Sequence, residues 1–199
     1  MENGQAQGHE SNEWMTFLFC SIDRYMLLAE RMEPGELIKL LNEYCVAAAD
    51  LVLEHKGMID KFIGDKIFAC WGAPIASPDQ ELLACKCALA LLNKIKAQTQ
   101  SKRVADRYSL RIGINSGKAS RAVLGNETLK DYTMIGDAVN IAYALEESNK
   151  KHQTSVLIAK STYEKVQKEA VAREIGNEIL KSRNAPVTIY ELLDIKASA

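Results

Sequence analysis

The sequence predicts a single α+β domain. Three observations predict it. Strand-like and helix-like segments alternate irregularly, with local hairpins among them, which favours an α+β sandwich over a doubly wound sheet. No internal repeat or second domain is visible over the 199 residues. Apolar residues make up 47% of the chain, enough for one sizeable core.

Residues 1–13 are polar and include Asn3, Gly4, Gly8, Ser11 and Asn12; they read as a leader or linker stub, with the domain over residues 14–199. Thr16-Phe17-Leu18-Phe19-Cys20-Ser21-Ile22 is a run of strand formers with apolar residues on both faces, which predicts a buried central strand. Pro34 opens a helical stripe of Leu37, Leu40, Leu41, Tyr44, Ala48, Leu51 and Val52, and Gly57 stands where a left-handed cap would close it. Residues 58–63 and 66–71 flank Gly64-Asp65, a hairpin signal. Ser77-Pro78-Asp79-Gln80 has the form of a capped helix start, and the helix continues through Leu82, Leu83, Cys85, Ala88, Leu89, Leu92 and Ile95. A charged connection over 101–107 leads to a strand at 108–115. Gly117 marks a turn, with 118–124 as the hairpin partner. A helix is expected over 138–149, a strand over 155–159, a short helix over 161–168, and closing strands over 170–175 and 187–193.

Several function classes drop out on composition. Lys and Arg number 25 and Asp and Glu 26, so the net charge of −1 argues against a nucleic-acid binder held by bulk electrostatics. No apolar run approaches the ~20 residues needed to span a bilayer, and residues 1–13 hold no secretory signal. Five cysteines, odd in number and irregular in spacing, do not form a disulfide framework, and Cys85 and Cys87 read as core. A soluble, cytoplasmic domain is the expectation. No phosphate-binding glycine loop occurs, and His9, His55 and His152 lack ligand spacing.

Two segments carry candidate chemistry. Lys61-Phe62-Ile63-Gly64-Asp65 puts a cation on an apolar strand and a carboxylate at its turn; the plain alternative is a snorkelling Lys and a turn Asp. Tyr132-Thr133-Met134-Ile135-Gly136-Asp137-Ala138-Val139-Asn140 puts a polar side chain on a strand end and an Asn one turn into a helix; the plain alternative is an ordinary capped helix.

Together these segments resemble the catalytic domain of class III nucleotidyl cyclases, the adenylate and guanylate cyclases. The likeness runs in order from about Thr16 to Leu193. It includes Ile59-Asp60-Lys61-Phe62-Ile63-Gly64-Asp65, Trp71-Gly72-Ala73-Pro74, Arg111-Ile112-Gly113-Ile114-Asn115-Ser116-Gly117, Tyr132 to Asn140, Leu145-Glu146 and Leu180-Lys181. The resemblance implies a ferredoxin-like α/β sandwich, paired head to tail with a second copy or another cyclase domain. ATP or GTP would bind at the interface with Mg²⁺ or Mn²⁺, and be converted to cyclic nucleotide and pyrophosphate. Lys61 matches the adenine-reading Lys, Thr133 the partner base contact, Asn140 the ribose-orienting Asn and Lys181 the triphosphate Lys. Asp65 and the backbone of Ile22 match metal contacts. The base pair favours ATP, since a Lys donates to adenine N1 and a Thr accepts from the exocyclic amine.

Two positions depart from the family pattern. Ser21 stands where the first metal carboxylate is expected, and Ala144 where an Arg stabilises the transition state. Asp23, two residues past Ser21, would face the same side if the strand continued, but the resemblance implies that this position lies beyond the strand end and points away. The sequence therefore implies either an adenylate cyclase with impaired catalysis or a degenerate, regulatory cyclase-homology domain that binds nucleotide or a partner.

Overall fold

The computed structural model describes residues 12–100, 107–181, 183 and 185–196. Strand β1 (Glu13–Ile22) lies between β3 (Lys66–Trp71) and β4 (Leu110–Gly125), antiparallel to both. Beyond β3 lies β2 (Met58–Ile63). Beyond β4 follow β6 (Val156–Ala159), β8 (Val187–Ile195) and β7 (Ala170–Glu178). The far half of β4 pairs with β5 (Lys130–Ile135), forming an arm off the main sheet.

Alternation along β1 separates two cores. Leu18, Cys20 and Ile22 face α2 (Pro34–Glu54) and α3 (Gln80–Gln100). Met15, Phe17 and Phe19 face α4 (Asp137–His152) on the opposite side of the sheet. The same rule places Ser21 on the α4 side. A central strand buried on both faces is thus confirmed. The short helices α1 (Tyr25–Arg31) and α5 (Lys160–Val166) add Leu28 and Val166 to the α2–α3 side.

Several local expectations change. The left-handed residue after α2 is Lys56, at φ 61°, not Gly57; Gly57 is required because a Cβ there would strike the buried Trp71 ring. Gly64 does adopt positive φ, 62°, in the expected hairpin turn. Pro78 and Asp79 form a turn and α3 starts at Gln80, whose side chain donates to the Trp14 carbonyl at 3.2 Å instead of closing a capping box. Gly117 is not a turn: β4 runs straight through it, because the missing side chain makes room for Ala138 on α4. The hairpin partner of residues 118–124 is therefore β5. Of the leader expected over residues 1–13 and the connection expected over 101–107, residues 1–11 and 101–106 fall outside the described residues, while Glu13 already belongs to β1. Cys85 and Cys87 are buried, and burial pushes each thiol up to about 12, as inert core residues require.

Candidate functional site

Two patches on the α4 side of the sheet gather the candidate residues. The first lies between β2 and the β5 arm. A β-bulge between Ile59 and Lys61 leaves Asp60 as the extra residue and brings Lys61 opposite Phe68, on the α4 side. Lys61 Nζ donates to both carboxylate oxygens of Asp131 on β5, each at 2.8 Å, and lies 3.5 Å from Asp60 Oδ2. It is therefore held by carboxylates rather than snorkelling. Burial would lower the Lys61 ammonium, but Asp131 and Asp60 outweigh it and its pKa is raised. Asp60 is nearly fully buried; burial raises its pKa against the opposing pull of Lys61 and the Thr133 hydroxyl, and its Oδ2 has no hydrogen-bond partner. Thr133 and Asp60 line a mainly apolar pocket of about 660 Å³ with Met58, Ile59 and Met134. A flat aromatic base fits such a pocket, with polar groups at its edge.

The second patch is the corner where β1 ends beside the β2–β3 turn. Asp65 Oδ2 accepts the Ile22 N–H at 3.1 Å, so the carboxylate and backbone expected to share an ion are joined directly. Burial raises the Asp65 pKa, opposed by that N–H and by the charge of Lys66. Ser21 Oγ donates to Glu146 Oε1 at 2.5 Å and accepts from Arg111 Nη2 at 3.2 Å. Glu146, on α4, is fully buried. Its Oε2 accepts from Lys66 Nζ, and its Oε1 lies 3.3 Å from Arg111 Nε. Burial would lower the Lys66 ammonium, but Glu146 outweighs this and the pKa is raised. Asp23 lies past the end of β1 and faces Arg111 at 3.6 Å, outside the Ser21–Glu146 contact.

Farther along α4, Asn140 is exposed, and Ala144 one turn later lines a groove of about 420 Å³ with Lys181, Leu180 and Glu147. The Lys181 side chain is almost fully exposed, its Nζ 4.0 Å from Glu147 Oε2. Ala144 is itself buried, packed with Ile141, Leu145 and Leu180, at the floor of the groove that Lys181 also lines.

A sequence profile of the Adenylate and Guanylate cyclase catalytic domain matches residues 8–193. The chain belongs to this family. Adenylate cyclase 1 of Rhizobium meliloti is 31% identical over 198 residues, covering 98% of this chain. An adenylate cyclase of Anabaena cylindrica is 32% identical over 191 residues, covering 93%. The chain spans 30% and 38% of the length of these relatives. The crystal structure of the adenylyl cyclase CyaB from P. aeruginosa superposes with a TM-score of 0.86 at 28% identity, covering 94% of this chain and 96% of that one. The α+β cyclase fold is thus shown, and no described helix is long and apolar enough to cross a membrane.

The structure of this cyclase domain gathers Lys61 with Thr133, and Ser21 with Asp65 and Ile22; it opens Ala144 and Lys181 onto one groove. Sequence reasoning missed Asp60 and Asp131 as the partners of Lys61, and Lys66, Arg111 and Glu146 as the partners of Ser21. Leu145-Glu146 was visible as part of the family pattern, but its partners lie 35 to 125 positions away in the chain, a pairing no local spacing reveals.

The family's divalent metals can be tested against this donor set. A hard divalent cation needs several oxygens with free lone pairs, carboxylates above all. Here Asp65 already accepts a backbone N–H, the Ser21 hydroxyl is neutral and committed, and Glu146 is engaged by two cations. Among the described residues no cluster of three or more His, Cys, Asp and Glu is arranged to hold an ion. A pair of divalent cations does not fit this corner.

Proposed function

We propose that this cyclase domain binds ATP at the interface of a head-to-tail dimer, with itself or with another cyclase domain, and turns it over weakly when it acts alone. The observation that carries the reading is the contrast between the two patches. The base side keeps Lys61 and Thr133 beside a mainly apolar pocket, while the corner at Ser21 is neutralised from within.

In this reading Lys61 leaves Asp131 to donate to adenine N1, and Thr133 accepts from the exocyclic amine. Asn140 orients the ribose, and Lys181, free to swing, meets the triphosphate. The adenylate cyclases among its relatives support the same base preference. Ala144 offers no cation to the developing charge, a loss on the order of 10²–10³ in rate. Ser21 removes a carboxylate and costs at least as much again. The alternative is a regulatory role in which the domain lends Lys61, Thr133 and Asn140 to an intact partner; the internally satisfied corner favours it.

The test is cyclic AMP formation from ATP with Mn²⁺ or Mg²⁺, comparing the wild-type domain with Ser21→Asp/Ala144→Arg. Weak or absent wild-type turnover and a clear gain in the double variant are expected. Robust wild-type turnover overturns the impaired reading, and failure to bind ATP by calorimetry overturns the nucleotide reading.

A further inference from the structure

The corner that fails as a metal site carries a cation of its own. Lys66 opens β3, and by alternation its side chain projects on the same face as Phe68 and Cys70, toward α4. There its Nζ donates to Glu146 Oε2 and stands 4.3 Å from the Tyr143 ring centroid. The other oxygen of the same carboxylate accepts from Ser21. One buried carboxylate therefore ties the hydroxyl that replaces a metal ligand to an ammonium group. The next residue back is Asp65, so the ammonium stands one residue from the carboxylate expected to hold a metal. Lys66 and Arg111 both engage Glu146, and Arg111 also faces Asp23 at 3.6 Å, so cations of the chain itself already meet these carboxylates.

We propose that Lys66 is a tethered cation in place of the divalent metal, so that ATP binds this domain without Mg²⁺ or Mn²⁺. The inference rests on the nucleotide-binding reading above. An ammonium is a compact charge with three donors. Glu146 takes one, and the Lys66 side chain is not sealed from solvent, keeping 21% of its surface exposed. The same charge repels a divalent ion from Asp65. A tethered ammonium neutralises phosphate but offers no exchangeable coordination position, so it favours binding over turnover.

Isothermal titration with ATP tests this, in EDTA and in excess Mg²⁺, on the wild-type domain, Lys66→Met and Lys66→Arg. The wild-type affinity should change by less than about threefold between the two conditions. Lys66→Met should lose about tenfold or more in EDTA, and Lys66→Arg should retain binding there. Circular dichroism establishes that the variants fold; the wild-type comparison stands even if one does not. A wild-type affinity that falls about tenfold in EDTA overturns the proposal and leaves the nucleotide reading intact. So does a folded Lys66→Met that binds ATP in EDTA as well as wild type. Absence of ATP binding in both conditions removes the nucleotide reading, and this inference with it.

Discussion

Glu146→Gln deletes the charge at the centre of the corner while nearly preserving shape. In the native protein this carboxylate is fully buried and faces Lys66 and Arg111, whose side chains keep only 21% and 19% of their surface exposed. At 3.3 Å, the Arg111 contact is worth about 5 kcal/mol of Coulomb attraction at an effective dielectric of about 20. Much of that offsets the cost of burying the charges. The variant loses the attraction but keeps two largely buried cations around a neutral amide. Removing one partner of a buried pair typically costs about 3–5 kcal/mol. In a domain of this size that corresponds to a fall of roughly 10 °C in Tm. Lys66→Met should cost less, about 1–2 kcal/mol, because Arg111 still balances Glu146. The double variant should lose less than the sum of the two, since both act on one pair. Urea and thermal unfolding of the three proteins, followed by circular dichroism, measure this. A loss below about 1 kcal/mol for Glu146→Gln, or strict additivity in the double variant, would refute the buried charge cluster.

Three other outcomes are expected. A Cβ at Gly113 would meet the backbone of Ala142, Leu145 and Glu146. Gly113→Ala should therefore push α4 off β4 and cost about 1–3 kcal/mol or more, measured as a lower urea midpoint; an unchanged midpoint would contradict the close approach. Burial would raise the Glu178 pKa, but Lys151 at 2.7 Å and His152 at 3.3 Å override it and hold the carboxyl below its usual 4.5. A depressed folded pKa contributes stability above the unfolded value and loses it as pH falls through the folded one. Glu178→Gln should thus cost under about 1 kcal/mol at neutral pH and progressively less below pH 4.5, and a cost independent of pH would exclude this pairing. Finally, competition binding should show ATP preferred over GTP by about tenfold or more, and Lys61→Glu should flatten or reverse that preference; an unchanged ratio would remove Lys61 from base selection.

Much of the fold was legible because its signals are local. The β2–β3 hairpin was readable from Gly64-Asp65 between two strand-like runs, and Pro34 marks the first turn of α2. The errors arose where distant packing decides. Gly117 looked like a turn, yet it is flat strand because α4 presses Ala138 against it. Gly57 looked like a helix cap, yet it is fixed by the ring of Trp71 from β3. A glycine chosen for space and one chosen for backbone freedom are the same letter.

The site divides in the same way. By itself the sequence determined the family pattern and the identities Lys61, Thr133, Ser21 and Ala144 within it, because each is a residue identity at a place in an ordered motif. Only the tertiary structure decided what those identities face. It set Lys61 against Asp131 across the bulge at Asp60, and it joined Ser21 to Lys66 and Arg111 through Glu146. Charge compensation depends on distances of a few ångströms between residues far apart in the chain. Such distances exist only once β1, β3, β4 and α4 are packed together.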